Sequence, residues 1–302
     1  MRLGISCGAI VKKYGVHRAF AICREAGFDT VEFSLSGYGN RELPDDLYNA
    51  SADAFEAHFT NIRNLADAAG IEIATAHGRV LTYTNEEDQC AYARWVSEKD
   101  LEASRLLGAS MCVIHPIIKK YWPDRLEDRD FLMDINTGMY RTLLPLAESN
   151  GVKICTETMG KTVIGEEKLI SFFAQPEDIL DQLEILDSPW FTVCVDTGHT
   201  NEAHFHGAPS PAEMIRALGS HVTHLHLHDN NGTADLHVPP ICDKRGGVVW
   251  TDVFNALEEV GYSGTYNFEI NLGLYGNAME DAVRFYGKWL RYFVENKGRV
   301  TP

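Results

Sequence analysis

The chain has 302 residues, 45% hydrophobic and 23% charged, the balance of an ordinary soluble globular protein. Its formal net charge of −16 and pI near 5.1 argue against nucleic acid or an anionic membrane as a partner, because phosphate neutralisation requires a basic face. Seven cysteines, an odd number and without a Cys-x-x-Cys pair, read as small buried hydrophobes rather than a disulfide framework, and no run is long enough for a membrane span.

Residues 3–7 read as a first strand, and 16–25 as a helix closed by Ala26-Gly27. Six further strand–helix units follow at 30–33 and 51–69, 71–76 and 86–107, 111–114 and 131–149, 152–156 and 177–186, 191–195 and 211–218, and 222–227 and 251–260. A last strand at 265–270 precedes a helix at 279–294. Strands separated by helices imply parallel pairing with right-handed crossovers. Eight such units without a composition break predict one α/β domain over residues 1–302, a (β/α)₈ TIM barrel. The longest connections, 78–85, 116–130, 159–176 and 230–249, all follow strands. That places the site-building loops at the C-terminal mouth. Cys7, Cys112, Cys155 and Cys194 lie in apolar strands and read as core, and the strand-like N-terminus lacks a signal-peptide pattern, so a cytoplasmic protein is expected.

Nearly every strand delivers an ionisable residue to that mouth: Glu32, His77, His115, Glu157, Asp196 with His199 beyond it, His226, and Glu269. Strand seven also carries His224 and His228, on the same side as His226 by the period of two, and its loop carries Asp235 and His237. Any single histidine here reads as a hydrogen-bonded barrel residue. Carboxylates converging on one point, however, repel each other unless a cation sits between them. Glu157, Asp196, His226 and Glu269 are therefore expected to hold one divalent ion, Mn²⁺ first, with Mg²⁺, Co²⁺ or Zn²⁺ as alternatives. His17, His58, His204 and His206 are expected at the surface. No Gly-x-Ser-x-Gly elbow or phosphate-cradling loop is present, and Gly37-Tyr38-Gly39 lacks a third glycine, so no nucleotide cofactor is expected.

Cys155-Thr156-Glu157, Asp196-Thr197-Gly198-His199, the run from His224 to Asn230, Asp235-x-His237, Gly246-x-Val248-x-Trp250 and Phe268-Glu269 together resemble the xylose-isomerase-like barrel superfamily. That group holds sugar isomerases and epimerases and also metal-dependent abasic-site endonucleases. Resemblance to its ketose 3-epimerase branch implies a metal-dependent isomerase or epimerase of a sugar or sugar phosphate. It makes Glu157 and Glu269 the acid/base pair beside a metal-bound carbonyl, with His199 on substrate hydroxyls. Relatives in that branch place an arginine shortly after the metal histidine, whereas Asp229-Asn230-Asn231-Gly232 stands here. Resemblance to the endonucleases instead makes His77, His115, His199, Asp235 and His237 ligands of additional ions, and a phosphodiesterase is the rival reading. Keto-inositol dehydratase and C-glycoside-cleaving lyase are further outcomes on the same site. The expected partner is a small sugar or polyol, with self-association open. Lys119, Lys120, Lys161, Lys244 and Arg245 lie in expected mouth loops, where they either meet a substrate phosphate or are solvated.

Overall fold

A computed structural model describes residues 1–80, 87–117, 126–164, 167–240 and 246–299. Eight parallel strands form the barrel: β1 (Arg2–Ser6), β2 (Thr30–Ser34), β3 (Glu72–His77), β4 (Met111–Val113), β5 (Lys153–Glu157), β8 (Phe191–Asp196), β9 (Val222–His226) and β10 (Thr265–Phe268). Their spatial order is β10-β1-β2-β3-β4-β5-β8-β9. Leu227 bridges Phe268 in parallel and so joins the first and last strands. The helices α2 (Val16–Glu25), α3 (Ala52–Ala69), α4 (Glu87–Leu107), α5 (Leu126–Asn150), α6 (Pro176–Leu186), α8 (Pro211–Leu218), α9 (Trp250–Glu259) and α10 (Met279–Glu295) lie between strands and after the last one. Their ends follow the local chemistry. Ser51 caps α3 by accepting from the Ala54 N–H, and left-handed Gly70 (φ 70°) ends it. Ser210 and Glu213 form a reciprocal capping box on α8. Among the described residues no helix is long and apolar enough to cross a membrane.

The apolar core lies between strands and helices, around Ile5, Phe20, Phe28, Phe33, Phe59 and Phe293. The barrel interior is more polar than a stack of branched aliphatics. Thr30, Thr75, Thr192, Thr265, Asn267 and His224 are all buried. Gly4 permits the close approach there, because a Cβ on it would lie 2.7 Å from both Thr30 Oγ1 and Thr265 Cγ2. Cys7, Cys23, Cys112, Cys155 and Cys194 are buried, as expected of core thiols, and Cys90 is half-buried.

Four α-helices and β-strands are absent from the sequence reading, and two others have shifted bounds. A short helix, α1 (Gly8–Tyr14), follows β1 directly; its seven residues are too few for a periodic signal. Within 159–176 an antiparallel hairpin forms from β6 (Lys161–Ile164) and β7 (Glu167–Ile170), so the expected loop is partly strand, and Lys161 opens it. Another helix, α7 (Thr197–His204), begins immediately after β8. It lacks an apolar stripe, and Asp196 caps it by accepting from the His199 N–H at 2.6 Å. Helix α5 starts five residues before the expected position and runs through Pro145. Strand β10 ends at Phe268, so Glu269 stands just beyond it. His17 and His204 are exposed as expected, whereas His58 and His206 are half-buried. A ring nitrogen of His58 lies 2.9 Å from the Tyr38 hydroxyl. Lys119, Lys120, Lys244 and Arg245 lie outside the described residues.

Candidate metal centre

Four strand ends converge at the mouth. Glu157 closes β5, Asp196 closes β8, His226 closes β9 and Glu269 follows β10. One ligand atom from each of the four lies within 4.8 Å of the others. Glu157, Asp196 and His226 are almost fully buried, and Glu269 keeps a side-chain exposure of 25%. His226 Nδ1 stands 3.2 Å from Glu157 Oε1, 3.2 Å from Glu269 Oε2 and 3.8 Å from Asp196 Oδ2. It makes a well-directed hydrogen bond to none of them, although the atom is buried. A buried nitrogen aimed among three carboxylates without a bonded partner has the geometry of a candidate metal ligand.

Electrostatics point the same way. Burial pushes the Glu157 carboxyl up, but the imidazoles of His226 and His115 outweigh it and hold it well below the usual range. Asp196 is likewise pushed up by burial and brought down by His199 and His228. Glu157 and Asp196 are thus held as anions, and two such charges converging with the Glu269 side chain on one point favour a positive centre there. Oxygen-rich donors with one imidazole suit a hard or borderline divalent ion.

The remaining expected residues reach the same rim. His77, His115 and Glu157 form a second group whose ligand atoms lie within 4.8 Å, and His199, Asp235 and His237 form a third. His115 Nε2 is 2.9 Å from Glu157 Oε2, and His77 Nε2 is 3.8 Å from it. In the third group the Nδ1–H of His199 donates to the Thr158 carbonyl at 3.0 Å, and that of His237 to the Glu269 carbonyl at 2.9 Å. Both rings then turn Nε2 toward Asp235 Oδ2, at 3.5 and 3.0 Å. His237 is left-handed (φ 48°), a conformation these bonds must hold in place.

Several residues take supporting roles that the sequence did not assign to them. Glu32, foreseen at the rim, is buried beside the cluster and binds Ser6, His224 and His226. His228 donates Nε2–H to Asp196 at 3.0 Å. Asp229 is fully buried and accepts from the Asn230 and Val248 N–H groups at 2.9 Å and the Trp250 indole at 3.0 Å. Asn230 bonds Asn201 and the Gly198 carbonyl. The residues standing where related epimerases place an arginine therefore clasp the 230–249 connection to the barrel. The period of two through His226 marked His228, and the Asp229–Trp250 pairing carried no local signal. Beside the cluster opens a cavity of about 370 Å³, lined among others by Ser6, Ser34, Ser36, His77, Glu269 and Asn271.

Residues 20–290 match the family described as the xylose isomerase-like TIM barrel. The chain belongs to this family. It is 28% identical over 173 residues to an uncharacterised protein of Methanocaldococcus jannaschii, covering 56% of this chain and 53% of that one. It is also 28% identical over 170 residues to the D-psicose 3-epimerase of Ruminiclostridium cellulolyticum, covering 55% and 51%. The chain thus spans about half the length of these two curated relatives. A crystal structure of a D-tagatose 3-epimerase-like protein superposes with a TM-score of 0.70 at 21% identity, covering 99% of this chain and 100% of that one. At that identity the likeness concerns the fold.

Proposed function

We propose that the chain is a metal-dependent sugar isomerase or epimerase that moves a proton at a carbon beside a carbonyl. The observation that carries this reading is His226 Nδ1, buried and without a hydrogen bond among the carboxylates of Glu157, Asp196 and Glu269. Those four residues would hold one divalent ion, Mn²⁺ by preference, which when bound would polarise the sugar carbonyl and acidify the neighbouring C–H. Glu157 and Glu269 supply the proton transfer: one carboxylate takes the proton and the other returns it. Glu269 reaches the cavity, whose serines and asparagine offer partners to sugar hydroxyls. Burial of Glu157 and Asp196 keeps water from competing for the reacting proton.

Incubation in D₂O with ketoses, keto-inositols and their phosphates, in Mn²⁺ and after chelation, tests this. Mass spectrometry should find deuterium in at least one sugar only when metal is present. Exchange with none of them would remove the reading. The second reading, a phosphodiesterase with several ions, is favoured by the His77–His115–Glu157 group, which shares Glu157 with the cluster, and by the His199–Asp235–His237 group. The net charge of −16 weighs against a nucleic-acid substrate. Metal-dependent nicking of duplex DNA carrying abasic sites, at catalytic enzyme concentrations, would put that reading first.

A further inference from the structure

Glu32 sits in the middle of β2 with an exposure of only 2%. A register shift between Val31 and Glu32 in the β2–β3 pairing sets Glu32 against Thr75. A carboxylate so deeply buried must have its oxygens satisfied. Ser6 Oγ donates to Oε1 at 2.7 Å, and Ser6 itself accepts from Asn267 Nδ2 at 3.2 Å. Oε2 receives His224 Nε2 at 2.8 Å and His226 Nε2 at 3.0 Å. Three donors on two oxygens fix the Glu32 carboxylate in place at the edge of the cavity. So held, it controls a ring. An ionised carboxylate only accepts hydrogen bonds, so the His226 nitrogen facing it must carry hydrogen. The opposite nitrogen, Nδ1, is the one aimed at Glu157, Asp196 and Glu269. An imidazole held by a carboxylate on one nitrogen is fixed in tautomer and orientation and is a more basic ligand at the other.

We infer that Glu32 is the positioning residue of the metal centre: through His226 Nε2–H it dictates that His226 binds the ion by Nδ1. This rests on the metal reading above. It also separates two places for an ion, because Glu32, His77 and His226 form a group of their own with ligand atoms within 4.8 Å. An ion there would displace the Glu32–His226 hydrogen bond and use Nε2 instead. The Asn267–Ser6–Glu32 chain of bonds favours the first place, since it anchors the carboxylate at Oε1 while His224 shares Oε2 with His226.

Zinc provides a diamagnetic probe. In the Zn²⁺-loaded wild-type chain, ¹⁵N NMR of the histidine rings should find the His226 hydrogen on Nε2 and the metal on Nδ1. Hydrogen on Nδ1 would overturn the inference and needs no variant to detect. Zn²⁺ affinity, measured by competition with a chromophoric chelator, should fall about 10- to 100-fold in Glu32→Leu. Glu32→Gln, which keeps an acceptor oxygen, should recover most of that loss. Wild-type affinity in Glu32→Leu, or equal losses in both variants, would overturn the positioning role and leave the metal reading intact. A wild-type chain that binds no Zn²⁺ would remove both.

Discussion

His228 and Asp196 are locked together. The imidazole donates Nε2–H to the carboxylate at 3.0 Å, and neither side chain is exposed. Gly198 makes room for this, since a Cβ there would lie 1.9 Å from His228 Cε1. Gly198→Ala should therefore push the ring off Asp196 and lower stability by at least ~1–3 kcal/mol. Metal affinity should fall with it, read by urea titration and by Mn²⁺ binding. Unchanged values for both would show that the ring can move freely, against the packing described here.

The Asp229 carboxylate bonds three buried N–H donors, two from the backbone and one from Trp250. Asp229→Ala would strand all three, each at roughly 1–3 kcal/mol. Trp250→Phe strands far less and should cost closer to 1 kcal/mol beyond its lost packing. Thermal melts of the two variants should differ by several degrees in that order, and the reverse order would contradict the clasp.

Asp100, on α4, is 2% exposed and accepts from the Tyr48 hydroxyl. Burial pushes its carboxyl up to about 7, although Tyr48 and the Arg79 N–H pull it down. The native state then keeps a proton that the unfolded chain releases from about pH 4 upward. Stability from this group is full below that pH and is lost as pH rises toward 7, by roughly 1.4 kcal/mol per unit. Asp100→Asn cannot ionise, so the gap between variant and wild-type melting temperatures should shift in favour of the variant from pH 5 to pH 8. A constant gap would mean that Asp100 is ionised throughout.

Glu157→Gln should lower any deuterium exchange by at least ~100-fold, the scale of a lost general acid or base, with the circular dichroism spectrum preserved. Retained exchange would remove Glu157 from the chemistry.

An ion that binds only the folded chain stabilises it by about 2.7 kcal/mol at a hundredfold excess over Kd. Mn²⁺ added to chelator-treated protein should raise the melting temperature, and Asp196→Ala should abolish the shift. Equal shifts in both proteins would place the ion elsewhere.

The alternation of apolar runs and amphipathic helices made the barrel legible, because burial on both faces leaves a strong mark on each strand. The rim was legible for a different reason. Glu157, Asp196, His226 and Glu269 interrupt or end apolar runs, where ionisable groups stand out. What stayed hidden depends on distance across the fold. Nothing near Glu32 in the chain says that it meets His226, 194 positions away. The Thr197–His204 helix was invisible because its face packs as small and polar residues, and the hairpin after Glu157 because its two strands are only four residues each.

The parallel bridge of Leu227 with Phe268 has a mechanical meaning. Two backbone hydrogen bonds close the cylinder there, Leu227 N–H to the Asn267 carbonyl at 2.9 Å and Glu269 N–H to the Leu227 carbonyl at 3.2 Å. His226 precedes this seam on one side and Glu269 follows it on the other. A ligand gripping both would act as a stitch across the thinnest join in the wall, so occupancy and amide-exchange protection at Leu227 and Glu269 should rise together.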